Sequence, residues 1–269
     1  MSGDSKVLAA LNADGIAKQK LHVILVVDTS RSMRGARIAQ VNSAIADIHK
    51  YLTELQGENS NADFYLSIMT FSDKAEFLQG YHGVNVNAMT PPTLVAKGYS
   101  NLHSAYEKLA PQLKKESAGG MMPDFGGMAP IIILMTDGHP TKATEKQLAE
   151  LKKLPWFKSS LRYGIAIELN DTRTLKVLTD FTEDKDCVVP CINSGTLSKI
   201  IQIIVLTASK VKSQSSAVKL GAPTQKPTPA KGKRGKNNNN NPPAKQAAAH
   251  AVVKQQVKAT LDEIDDWEW

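Results

Sequence analysis

The stretch LHVILVVDTSRSM, residues 21–33, changes character in its middle. Its first seven residues are a near-continuous apolar run rich in β-branched side chains. That is the pattern of a central parallel strand buried on both faces. The second half is polar and places a carboxylate and two hydroxyls at Asp28, Ser30 and Ser32. In doubly wound α/β folds, ligands gather in the loops beyond the carboxyl ends of such strands.

The flanking sequence repeats the alternation. Residues 36–55 carry Ile38, Val41, Ile45, Ile48 and Leu52 at helical spacing. Residues 64–71 (FYLSIMTF) read as a second strand, and 76–81 fit a short third that need not run parallel. A helix over 102–113 precedes another fully apolar strand, PIIILM, at 130–135. A helix over 146–154, a strand over 161–167, a short helix over 172–181 and a strand near 187–189 follow. An apolar-striped helix over 195–211 closes the unit. Strands alternating with helices predict a doubly wound, mostly parallel sheet flanked by helices.

Composition divides the 269 residues. Residues 1–19 read as an N-terminal extension and 20–211 as the folded domain, long enough to bury a core without disulfides. Residues 212–258 carry ten Lys and Arg and no acid, and 262–269 carry five acids and no base. Removing that +10 stretch and the −5 terminus from the chain's +7 leaves the rest near +2. The pI near 9.2 therefore describes a tail and not a basic face of the domain. Pro, Lys, Gln and five consecutive Asn at 237–241 make 212–250 read as a disordered basic linker. Residues 251–269 regain a sparse apolar pattern and end in an acidic-aromatic segment with Trp267 and Trp269, which reads as a docking peptide. No run of about 18 apolar residues and no signal-peptide pattern occurs, so a cytoplasmic protein without membrane attachment is expected. Cys187 and Cys191 are expected to be plain strand-end thiols.

Two further loops add oxygen donors. Asp137 follows the apolar strand at 130–135, in the turn MTDGHP. Ser100 lies in GYSN, just before the helix at 102. Three loops converging on one sheet edge with oxygen donors suit one hard divalent cation, Mg²⁺ or Mn²⁺. Ser30, Ser32 and Ser100 are the expected direct ligands, with Asp28 and Asp137 direct or through water. The plainer alternatives are that Ser30, Ser32 and Ser100 cap helices, that Thr70 and Thr136 are structural or support the ligands from behind, and that His139 is a loop histidine and not a base.

In these residues the chain resembles the von Willebrand factor A family. The family's metal-ion-dependent adhesion site uses D-x-S-x-S, then a Thr in a glycine-containing loop, then an Asp in a T-D-G-like turn. Asp28, Ser30 and Ser32 match the first element and Asp137 the last. Ser100 stands where Thr is usual and keeps the hydroxyl. Arg31 stands where Gly is common and brings positive charge to the rim, a candidate partner contact. The stretches VVDTSRSM, IMTFSD and MTDGHPT look like the tellurite-resistance and stress-response branch. That resemblance implies a cytoplasmic adaptor acting beside a protein kinase or phosphatase.

Function is therefore expected to be metal-dependent protein binding and not catalysis. A phosphotransferase of the D-x-D-x-T type would need a carboxylate where Ser30 stands. No phosphate-binding glycine loop follows any strand, and no nucleophile elbow is present. Nucleic acid is a weaker alternative, because residues 212–258 have charge but no aromatic side chain to stack on bases.

Overall fold

The computed structural model describes residues 18–58, 62–124, 127–138, 140–167 and 172–191, then 195, 198–199, 201–202, 251–252, 255 and 258–259. The expected extension at 1–19, the linker at 212–250 and the terminal segment with Trp267 and Trp269 lie wholly or largely outside the described residues.

The opening stretch forms β1 (Gln19–Asp28), and eight consecutive residues from Leu21 to Asp28 are buried. β2 (Ala62–Phe71), β3 (Ala75–Phe77), β4 (Val84–Asn85), β5 (Ile131–Thr136), β6 (Leu161–Ile167) and β7 (Val188–Cys191) complete one mixed sheet. Its order is β3-β2-β1-β5-β6-β7, with β4 also on β2. β1 pairs in parallel with β2 and β5, as β5 does with β6 and β6 with β7. Only β3 and β4 run antiparallel, both against β2. Ladders to β2 and β5 satisfy the backbone of β1 on both edges, and helices cover both of its faces, which is why its side chains read as one apolar run.

The sheet is flanked by α1 (Ala36–Glu58), α2 (Leu102–Gln112), α3 (Glu145–Lys153), α4 (Pro155–Ser159) and α5 (Thr172–Thr182). Alternation along β1 splits the core in two. Leu21, Val23, Leu25 and Val27 pack with Val41, Ile45, Ile48 and Leu52 of α1. Ile24 and Val26 pack on the other face with Leu102, Tyr106 and Leu109 of α2, Leu151 of α3, Phe157 of α4 and Leu178 and Phe181 of α5. Each such fully buried aliphatic or aromatic side chain contributes roughly 1.5–3 kcal/mol. Residue 195 and residues 198–199 and 201–202 are helical, with Ile201 buried on the α1 side. Ser198 Oγ donates to Asp47 Oδ2 at 2.8 Å and fastens that segment to α1.

The chain leaves β1 toward β2 on one side and returns to β5 on the other. The strand order therefore reverses at the β1/β5 boundary. Such a switch point opens a crevice beyond the carboxyl ends of the two strands, because their following loops diverge. Asp28 ends β1 and Asp137 directly follows β5, so both lie at that crevice.

Candidate metal centre

Asp28 is the floor of the site. It is fully buried, and burial pushes its carboxyl up from the ordinary range while hydrogen bonds from Ser30, Thr136 and Ser100 oppose the shift. Its Oδ1 accepts from the Ser30 amide at 2.8 Å. Its Oδ2 accepts from Ser100 Oγ at 3.0 Å and from Thr136 Oγ1 at 2.7 Å. The Val27↔Met135 register sets Asp28 beside Thr136, the last residue of β5.

The serines extend the network upward. Ser30 Oγ and Ser32 Oγ lie 3.0 Å apart, and Ser32 Oγ donates to Asp137 Oδ1 at 2.8 Å. Ser32 has thereby used its one proton, so Ser30 is the donor of the pair. Ser30 is buried and Ser32 exposed, so the network climbs from the core to the surface. Ser30 makes no side-chain cap to the short 3₁₀ turn Arg31–Met33. The helix α2 is capped by Asn101, whose side chain accepts from the Ser104 amide. Neither hydroxyl is thus explained by capping, and all five expected residues join one connected cluster.

The Ser100 loop is fixed from several sides. Gly98 carbonyl accepts from the Arg31 amide at 2.9 Å, and the Lys97 amide donates to the Thr29 carbonyl at 2.7 Å. The Tyr99 amide donates to Asp73 Oδ1 at 2.9 Å. Ser100 carbonyl accepts from both the amide and the hydroxyl of Thr141, across the loop that follows β5. Gly98 has φ +74°, and a Cβ there would come within 2.7 Å of Asp73 Cγ. The left-handed backbone there favours glycine, and a side chain would push Asp73 away from the Tyr99 amide.

The donor chemistry fits a hard divalent ion. Asp28, Ser30, Ser32, Ser100, Thr136 and Asp137 present oxygen alone. Adjacent ligands of a Mg²⁺-sized octahedron are separated by roughly 2.9 Å, close to the 3.0 Å between the Ser30 and Ser32 hydroxyls. Among the described residues no group of three or more His, Cys, Asp and Glu gathers anywhere, so no nitrogen- or sulfur-rich zinc-type site competes. Where an ion binds, Ser30 and Ser32 have oxygen lone pairs free for it, while both carboxylates are already held by protein donors.

Thr136, expected to be structural or to support a ligand from behind, contributes a hydroxyl that orients Asp28. One neighbour escaped the sequence reading. Arg37 Nη1 donates to Asp137 Oδ2 and to the Ser32 carbonyl, each at 2.9 Å. A basic residue in the first turn of a helix opposes the macrodipole, and that mismatch is the signal by which Arg37 was detectable. Arg31 is exposed and its guanidinium sits 5.9 Å over the Tyr99 ring. His139 lies outside the described residues. Cys187 is buried at the end of the short 3₁₀ turn that leads into β7.

A mixed sheet with helices on both faces and a hydroxyl–carboxylate cluster at its switch point defines a class of ion-binding α/β domains. The chain belongs to the von Willebrand factor type A domain family, whose model matches residues 22–201. Domains of this family commonly serve as metal-dependent protein-interaction modules. Inter-alpha-trypsin inhibitor heavy chain H1 of Sus scrofa is 27% identical over 148 residues, which is 52% of this chain and 15% of that protein. Proximal thread matrix protein 1 of the mussel byssus aligns with a TM-score of 0.51 at 16% identity, over 71% of this chain and 48% of that one. The pilus adhesin SpaC of Lactobacillus rhamnosus GG aligns with a TM-score of 0.51 at 13% identity, over 67% and 29%. These two likenesses establish the fold, and the chain spans less than half of each of these three relatives. No helix among the described residues is long and apolar enough to cross a membrane.

Proposed function

We propose that this chain holds one Mg²⁺ or Mn²⁺ ion at Asp28, Ser30, Ser32, Ser100 and Asp137 and uses it to bind an acidic side chain of a protein partner, without catalysis. The observation that carries this reading is the unbroken hydrogen-bonded network of those residues at the switch point. An ion held by neutral hydroxyls and only two carboxylates stays electron-poor and accepts a further anionic ligand.

The surroundings suit a protein surface. Val95 and Tyr99 are 71% and 66% exposed, unusually high for large apolar side chains, and both belong to the segment that leads into Ser100. Arg31 over Tyr99 adds a cation to this rim. A cleft of about 350 Å³ runs beside it, between the β2–β3 hairpin and Pro92–Lys97, with Lys74, Lys97 and Glu76 in its walls. Trp267 and Trp269 would supply a second contact, although they lie outside the described residues. A role as cytoplasmic adaptor beside a kinase or phosphatase, in a stress or tellurite-resistance system, rests on the sequence stretches around Asp28 and Asp137. The basic stretch 212–258 would add at most weak, salt-sensitive contact with nucleic acid.

Calorimetric titration of the full chain with Mn²⁺ or Mg²⁺ tests the site. One ion should bind to the wild type and none to Asp28→Ala. Capture of partners from the native cell should fail with EDTA and with Asp28→Ala. Wild-type titration by the variant would sink the reading.

A further inference from the structure

The rim of the centre combines uncovered apolar surface with cations. Among the described residues three large apolar side chains are exposed, and two of them, Val95 and Tyr99, border Ser100. The third, Val252, lies beyond the part of the chain that matches the family. Tyr99 stands on a loop fixed through its own amide by Asp73, so covering its ring costs little ordering entropy. The Arg31 guanidinium lies over that ring. Lys74 and Lys97 line the cleft that opens beside Val95 and Thr29, with Glu76 as the one acid among its lining residues. Arg31, Lys74 and Lys97 form no ion pair among the described residues. This rim suits a ligand that is both acidic and aromatic.

The chain carries such a ligand itself. Residues 262–269, DEIDDWEW, hold five acids, no base and two of the three tryptophans, and no stretch elsewhere in the chain is as acidic. We propose that this segment docks on the rim of its own domain, with one of its carboxylates on the bound ion and its tryptophans against Tyr99, Val95 and Arg31. The inference rests on the reading of the cluster as a metal site. Charge complementarity and ring chemistry carry it: an indole covers apolar surface and attracts a guanidinium. Reach permits it. Fifty-nine residues separate Gln202 from Asp262. Even at the 1.5 Å rise of a helix they cover about 90 Å, while a domain of 180 residues has a radius of gyration of about 16 Å. The tether holds the segment at an effective concentration of up to about 1 mM, so a weak contact suffices. The chain thus covers its own centre until a stronger acidic partner displaces the segment, and displacement frees the tryptophans for the second contact described above.

Tryptophan emission of the full chain reads the segment, because Trp156 alone lies elsewhere and is partly buried against the core. Addition of Mg²⁺ should shift the emission to the blue and reduce its quenching by acrylamide in the wild type. Asp28→Ala should show neither change. The double variant Val95→Ser/Tyr99→Ser should show neither change and should still bind one Mg²⁺ by calorimetry. A second measurement uses a fluorescein-labelled peptide of residues 262–269 with Mg²⁺. A full-length variant with Asp265→Asn, Asp266→Asn, Trp267→Ala, Glu268→Gln and Trp269→Ala should bind this peptide about tenfold or more tightly than the wild type, whose own segment competes at its tethered concentration. Mg²⁺ binding without any change in quenching overturns the docking and leaves the metal centre standing. So does equal peptide binding by the two proteins, or a quenching change that persists in Val95→Ser/Tyr99→Ser. A quenching change that grows with protein concentration overturns the intramolecular contact and assigns the segment to a second copy. A wild type that binds no Mg²⁺ overturns the metal centre itself, and this proposal with it.

Discussion

At the scale of single residues, His22 shows what a strand buried on both edges demands of a polar side chain. It sits in β1 at 3% exposure, stacked on Tyr65 with ring centroids 5.1 Å apart. Neither ring nitrogen has a hydrogen-bond partner among the described residues. Burial, aided by the charge of Lys20 and opposed by Glu116, lowers its pKa to about 4. The folded state thus takes up the proton less readily than the unfolded one. The stability due to neutral His22 is complete above pH 6.5 and is lost as the pH falls from 6.5 toward 4. The loss reaches about 3 kcal/mol. Urea unfolding of His22→Phe between pH 7 and 4 should show a shallower decline than the wild type, and parallel profiles would refute the assignment. The sequence marked His22 only as one letter in an apolar run, since burial depends on neighbours that sequence spacing does not specify. Asp28, Ser30, Ser32 and Asp137 were legible because each follows an unmistakable strand. Arg37 carried only the weak signal of a base in the first turn of a helix, because its partner Asp137 lies 100 residues away.

At the scale of elements, the approach of α5 to β6 is set by a missing side chain. A Cβ on Gly164 would lie 2.9 Å from Leu178 Cβ and 3.1 Å from its Cδ2. Gly164 thus lets the helix settle on the strand, and Leu178 fills the space above it. Gly164→Ala should destabilise the protein by about 1–3 kcal/mol through overpacking. Combination with Leu178→Ala should recover part of that loss beyond additivity in a double-mutant cycle. Strict additivity of the two changes would assign the clash to Leu178 Cβ alone, which alanine keeps. The long elements were the readable ones, because β1, β5 and β6 are apolar runs and α1 carries several turns of periodic spacing. The two-residue β4 and the five-residue α4 are too short for any period to register. Their placement follows from what they pack against, as Phe157 of α4 does in the core beside α5.

At the scale of the whole molecule, ion binding at the proposed centre should add to global stability, because its residues come from three segments that only the folded sheet unites. An ion that binds the folded state alone at a hundred times its dissociation constant adds about 2.7 kcal/mol. For a domain of this size that corresponds to a rise of about 5–10 °C in the unfolding midpoint. Differential scanning calorimetry with and without Mn²⁺ should show the rise in the wild type and not in Asp28→Ala. Equal midpoints with and without saturating ion in the wild type would contradict the coupling. The same discontinuity imposes a delay during synthesis. Thr136, which donates to Asp28, is 108 residues further along the chain, and β1 acquires its second neighbour only when β5 exists. At a ribosomal pace of about 5–20 residues per second, some 5–20 s separate the appearance of Asp28 from that of Asp137. For that interval one edge of β1 has no partner strand and the proposed ion site is unfinished. Competence to bind a metal thus marks the moment at which the two halves of the sheet have joined.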